Sequence, residues 1–308
     1  MRNIPNRKSG KMTARLLGLV LALTLLLSSL TSCGFLFEAI GLDPEQLDFN
    51  AILNEMSGSK ESAEGSKYEE TDPTLVEGFY SGQLEDGTYP VTAIVFKGGT
   101  FDLSAVALYD GTCAWAVVND NQPYFGTDEI TMASFELYGD LDSLGRCTSA
   151  TSSVGQDLMP TEDRGSIGSV KPTGWHTVKY DCVDAGYLYN RCHLIGYQLT
   201  GENANKQNLI TGTRYLNVVG MLPFEDMVTA YVKETGNHVM YRVTPVFIGD
   251  NLVAHGVLME GYSVEDEGDG ICYCVFCYNV QPGVTIRYSD GESWEIGAEE
   301  ASSEDEAA

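Results

Sequence analysis

One segment of this 308-residue chain carries a clear helical stripe, and it lies between blocks of strand-like sequence. Phe224, Met227, Val228, Tyr231 and Val232 recur at i, i+3, i+4, i+7 and i+8, which puts five apolar side chains on one face of a helix. Pro223 suits its first turn and Gly236 its C-terminal stop. Ahead of it, residues 91–96, 103–109 and 113–119 read as β-like runs, the first two separated by Gly98-Gly99. Behind it, residues 238–246 and 252–262 alternate apolar and polar side chains and read as strands, an acidic turn covers 264–270, and 271–280 reads as a further strand. Residues 135–144 read as a short helix or irregular segment. Residues 147–176 read as one long ordered loop, of the kind a compact domain keeps for function. Residues 177–180 and 187–192 read as two strands joined at Asp184-Ala185-Gly186. Strands, one helix, then more strands predict an α+β fold on a mainly antiparallel sheet.

The two ends have a different texture. Arg2, Arg7, Lys8, Lys11 and Arg15 precede an apolar run over 16–30, shorter than the roughly 20 residues a spanning helix needs. Leu30-Thr31-Ser32-Cys33-Gly34 follows and resembles a bacterial lipobox, which implies cleavage before Cys33 and a lipid on its sulfur; an uncleaved signal anchor is the alternative. The expected organisation is a signal peptide over 1–33 and a flexible tether over 34–73, poor in apolar residues from 57 to 72. A folded domain follows over 74–288, with 74–104 as a possible extra β segment, and an acidic disordered tail over 289–308. The expected location is the outer face of a bacterial membrane, held by the lipid, or the medium if the anchor is absent. Seven cysteines remain beyond Cys33, an odd number that cannot pair completely within one chain. The net charge of −26 argues against passive coating of nucleic acid, yet residues 146–245 hold nine Lys/Arg and nine Asp/Glu, so the centre is neutral.

That neutral centre holds the chemistry. Asn190-Arg191-Cys192-His193 ends a strand; Asn208 and Asn217 follow His193 by 15 and 24 residues, and Glu225 lies eight beyond Asn217. Phosphodiester hydrolysis needs a base for water, a cation on the phosphate oxygens and a group to hold that cation. The segment resembles the DNA/RNA non-specific endonuclease family, whose active site is a ββα-metal (His-Me finger) unit, and within it the DNA-entry and secreted nucleases of Gram-positive bacteria. The resemblance runs from about residue 105 to 288 and is densest at 144–146, 171–176, 190–201, 208–217 and 241–245. The family signature is Asp-Arg-Gly-His; here Asn190 replaces the Asp and Cys192 the Gly. A second near-match, Asp163-Arg164-Gly165-Ser166, has Ser where the base belongs and lacks the asparagine pair at the family spacing.

The resemblance implies His193 as general base, Asn217 as the protein ligand of Mg²⁺ (with Mn²⁺ as a possible substitute), and Glu225 holding water around that cation. It also implies Asn208 as the residue that positions loop and substrate, and Arg191, Arg214 and Arg146 as phosphate clamps. Each has a plainer reading: a core histidine, a helix-capping Asn217, a turn-forming Asn208, an acidic Glu225 favoured by the helix dipole, and an Arg191 that braces the fold. Glu225 can share a helix side with Asn217 only if the helix begins near Asn217, which Pro223 puts in question. The domain over 74–288 is thus expected to be a nuclease acting on DNA and RNA outside the cell. The alternatives are a non-catalytic nucleic-acid-binding surface lipoprotein that acts in DNA uptake, and a zinc protein using Cys272, Cys274 and Cys277. Against zinc, a strand points Cys277 away from the other two, and no second Cys-x-x-Cys exists.

Overall fold

A computed structural model describes residues 93–296. In chain order the strands are β1 (Ala93–Phe96), β2 (Gly99–Asp102), β3 (Trp115–Val117), β4 (Phe135–Tyr138), β5 (Ala150–Val154) and β6 (Tyr189–His193). The short helix α1 (Tyr197–Thr200), β7 (Leu209–Thr213), a π-helical segment Leu216–Met221 and the helix α2 (Leu222–Thr235) come next. The chain closes with β8 (Val239–Val246), β9 (Gly256–Ser263), β10 (Cys272–Tyr278), β11 (Val284–Ile286) and β12 (Ser293–Glu295). Six strands form an antiparallel sheet in the order β3-β10-β9-β8-β5-β4. The structure is therefore α+β with a mainly antiparallel sheet, as the sequence predicts.

The central strands β8, β9 and β10 are buried on both faces, and their alternation assigns each face a partner. Tyr273 packs on Phe224 of α2 with ring centroids 4.9 Å apart, and Cys277, on the same face, donates to the Gly220 carbonyl. The other face offers Val246, Leu258, Cys274, Phe276 and Tyr278, which pack with Phe101, Leu103, Val106 and Tyr124 from the N-terminal layer. A buried ion pair lies in that second interface. Arg242 bonds both oxygens of Glu260, directly opposite on β9, at 2.7 and 2.9 Å. Its guanidinium lies between the rings of Phe96 and Phe125, 4.3 and 4.5 Å from their centroids, and Glu260 also accepts from the Tyr124 amide. The N-terminal layer thus satisfies a charged pair the sheet cannot leave bare.

Several expectations need correction. Residues 135–144 contain strand β4, an edge strand whose Leu137 faces solvent, so its apolar signal is weak. The loop expected over 147–176 contains β5, Ala-Thr-Ser-Ser-Val, deep in the sheet. Ser152 and Ser153 are buried, and their hydroxyls donate to the carbonyls of Phe135 and Thr131, so this buried strand has no hydrophobic signature. Residues 103–109 give a 3₁₀ turn over Leu103–Ala105 rather than a strand. Residues 177–180 contribute only the bridge Lys179↔Tyr187; the true partner of β6 is β7. The tail expected from 289 begins too early: β12 pairs with β11, and Ser293 bonds the Tyr180 hydroxyl at 2.9 Å. Cys33, the tether and residues 74–92 lie outside the described residues.

Candidate active site

β6 and β7 pair only with each other, from Tyr189↔Thr213 to His193↔Leu209, and the chain then enters the π-helical segment and α2. Two strands and a helix in that order make a ββα unit. Its hairpin face carries Asn190 and Cys192, and Cys192 fills the space left by Gly212 on β7: a Cβ there would lie 2.4 Å from the Cys192 sulfur. The cysteine that replaces the signature glycine is therefore accommodated by a glycine across the hairpin.

Buried amides pin both ends of this unit. Asn279, wholly buried, accepts from the Thr213 amide at 2.9 Å and donates to the carbonyls of Ala254 and Thr211. The Thr213 hydroxyl accepts from the Leu216 amide at 2.9 Å and so caps a helical backbone that begins at Arg214. The helix therefore begins three residues before Asn217, not at Pro223. Its first turns are wide, with the Leu222 amide bonding back to the Asn217 carbonyl. Eight residues of pure α-helix would rotate Glu225 roughly 80° from Asn217, but a π segment of about 4.4 residues per turn brings the two nearly into line. The π turn resolves the doubt that Pro223 raised.

At the other end, Leu194 bonds the Asn208 carbonyl, and the Asn208 side chain bonds both the amide and the carbonyl of Ile195, at 2.8 and 3.0 Å. The chain leaving His193 is thereby fixed. It passes Gly196, where a Cβ would lie 2.7 Å from a carboxylate oxygen of Glu225, so Glu225 lies directly against this backbone. After α1 the chain returns, and the Asn203 carbonyl meets His193 Nε2 at 2.8 Å. The other ring nitrogen, Nδ1, faces a guanidinium nitrogen of Arg164 at 3.2 Å.

These contacts define the tautomer. A guanidinium only donates, so Nδ1 accepts and Nε2 carries the proton that goes to Asn203. His193 is 6% exposed; burial, with Arg164 nearby, holds its pKa down at about 4, against the bond to Asn203, so the ring is neutral at neutral pH. Burial, with Asp226 next to it, pushes Glu225 up to about 8 against the opposing pull of Arg164. Neither Glu225 nor the Asn217 amide makes a hydrogen bond among the described residues. These are hard oxygen donors about two turns apart on one helix, and such donors fit Mg²⁺. Among the described residues no three of His, Cys, Asp and Glu are grouped to hold a metal. Cys274 packs in the N-terminal interface and Cys277 under the π segment, on opposite faces of β10.

The predicted site residues therefore separate. The charge of Arg164 acts on both His193 and Glu225, and Asn217 shares the helix with Glu225. Asn208 is wholly buried, and its amide holds the loop through both bonds to Ile195. Arg191 also braces: it donates to the carbonyls of Val170 and Gly168 and stacks on Trp175 at 4.0 Å. Arg146 bonds Asp142 and the carbonyls of Gly249 and Asn251, which holds two turns together. Arg214 pairs with the exposed Asp184 at 3.1 Å and keeps partial access to solvent. The cation that meets His193 is Arg164, from the near-match Asp163-Arg164-Gly165-Ser166. Its signal in the sequence is that near-match, in which Ser166 stands where a base belongs.

The model of the family described as DNA/RNA non-specific endonuclease matches residues 128–265. NucA from Streptococcus agalactiae, solved with a magnesium ion bound, is 22% identical, with a TM-score of 0.50 over 67% of this chain and 90% of that one. The same protein solved with no metal bound gives 0.51 at 22% identity, over 72% and 95%. These likenesses establish the fold. No curated protein matches the chain.

Proposed function

We propose, from the match of residues 128–265 to the DNA/RNA non-specific endonuclease family, an exported, lipid-anchored, Mg²⁺-dependent endonuclease that cuts DNA and RNA without sequence preference. The observation that carries the reading is the state of His193: neutral, buried, its Nε2–H held by the Asn203 carbonyl, with Nδ1 as the one basic nitrogen. That nitrogen takes the proton of a water attacking phosphorus. Arg164 lies beside it without a carboxylate partner among the described residues, placed to pair with phosphate oxygens. Asn217 and Glu225 would hold the cation, and the magnesium ion named for NucA suits their oxygen donors. Bound there, it would neutralise charge on the phosphate and on the leaving oxygen. A site that engages the backbone and not base edges gives no sequence preference. The leader and Cys33 supply the outer-surface location in this reading.

Digestion of plasmid DNA and RNA tests it, with protein beginning at residue 34, in Mg²⁺ and in EDTA, beside His193→Ala. Cutting that requires Mg²⁺ and falls about 10²- to 10⁴-fold in the variant is expected. Intact nucleic acid with folded wild type would refute catalysis and favour the binding lipoprotein.

A further inference from the structure

We propose that Arg164 caps the base nitrogen of His193 in the free protein and releases it only when a phosphodiester takes the guanidinium. The inference rests on the nuclease reading and adds to it a coupling between substrate occupancy and the availability of the base.

His193 has one ring nitrogen that can accept a proton, because Nε2 is committed as a donor to Asn203 at 2.8 Å. That remaining nitrogen, Nδ1, is engaged by Arg164 at 3.2 Å. While this bond persists, a water molecule cannot give its proton to Nδ1, since the lone pair it needs is in use. The capped ring is inactive by the same contact that defines its tautomer.

Arg164 is built to hold this position and to leave it. Its backbone is anchored on both sides. Gly165 passes so close to Asn203 that a Cβ would lie 2.7 Å from its amide nitrogen, and the Glu162 carbonyl accepts from the Tyr197 hydroxyl at 2.7 Å. The segment therefore follows the loop that orients His193. The side chain is not anchored: Arg164 is solvent-exposed and, among the described residues, forms no ion pair, whereas Arg146, Arg214, Arg242 and Arg287 each have a carboxylate. A guanidinium bonds a phosphate through two charge-assisted hydrogen bonds and a neutral imidazole through one ordinary bond. The phosphodiester therefore wins the guanidinium. Nδ1 is freed as the phosphate arrives, the attacking water protonates it, and Arg164 is by then on the phosphate oxygens. The glycine and the arginine of the near-match motif each gain a role.

The test reads the imidazole itself. Full-length protein labelled with ¹⁵N at histidine is observed by NMR in EDTA, so nothing is cut, with His193 assigned through His193→Gln. Wild type without ligand should show the Nε2–H tautomer with Nδ1 shifted upfield by the bond it accepts. Arg164→Ala should move Nδ1 downfield to the unbonded value with the other histidines unchanged, which certifies the fold. Saturating oligothymidylate, with saturation followed by fluorescence anisotropy, should move the wild-type Nδ1 to that value and leave Arg164→Ala unmoved. Identical ligand-free spectra for the two proteins would overturn the cap. So would an equal ligand-induced shift in both. Plasmid cutting in Mg²⁺ separates the readings: wild type that cuts while Nδ1 shows no cap disproves the cap alone, and wild type that does not cut disproves the nuclease.

Discussion

His193 and Glu225 depend on pH in opposite senses, because burial disfavours the charged form of each. The His193 pKa falls from 6.5 to about 4, so its contribution to stability is complete above 6.5 and is lost as pH falls toward 4. The Glu225 pKa rises from 4.5 to about 8, so its contribution is complete below 4.5 and is lost as pH rises toward 8. Urea midpoints measured across pH in EDTA should therefore change little from pH 4.5 to 6.5, where the two effects oppose each other, and decline from 6.5 to 8. Glu225→Gln should flatten that decline, and Mg²⁺ should restore wild type at pH 8 but not the variant. A wild-type slope that survives in Glu225→Gln would mean another group causes it. Asn208 offers a test of size rather than sign. Asn208→Ala strands the buried amide and carbonyl of Ile195, each worth about 1–3 kcal/mol. A stability loss of about 2–4 kcal/mol in denaturant is expected, with activity falling because His193 loses its support. If Asn208 instead served substrate alone, KM would rise and stability would not change.

At the scale of elements, the hairpin β6–β7 works as a matched pair. Gly212→Ala brings a methyl within 2.4 Å of the Cys192 sulfur and should destabilise the protein by about 1–3 kcal/mol, as overpacking does. Cys192→Gly should relieve most of that cost, so a double-mutant cycle should show coupling of about 1 kcal/mol or more; strict additivity would mean the two side chains do not share the space. This pairing also marks what the sequence could and could not reveal. The α2 stripe, the strands around it and the spacing of His193, Asn208, Asn217 and Glu225 were legible, because each rests on periodicity or on a motif along the chain. β5 was not, because a strand buried through serine hydroxyls bonded to carbonyls lacks an apolar pattern. The π segment was not, because its wide turn follows from Thr213 and Asn279 meeting across 66 residues. Arg164 was visible as a motif, but its approach to His193 spans 29 residues and depends on how the intervening loop folds.

For the whole molecule, the matched family region and the folding unit have different boundaries. Residues 128–265 omit β10, which lies between β3 and β9 in the sheet, and the N-terminal layer that covers its second face. Without β10 the inner edge of β9 is bare, and without Phe101, Leu103 and Tyr124 the side chains of Val246 and Leu258 face water. Arg242 and Glu260 would also lose Phe96, Phe125 and the Tyr124 amide around them, although the two charges would still have each other. A chain of residues 128–265 alone should therefore show no cooperative thermal transition, whereas 93–296 should unfold in one step. Glu260→Gln within 93–296 should cost about 3 kcal/mol, because it removes the closer counter-charge of a buried guanidinium and leaves it only Glu129, 3.6 Å away. Calorimetry of the three proteins checks this. A cooperative transition in 128–265 would show that the ββα unit and the four strands β4, β5, β8 and β9 stand alone, and the N-terminal layer would then be an addition to the fold, not a part of it.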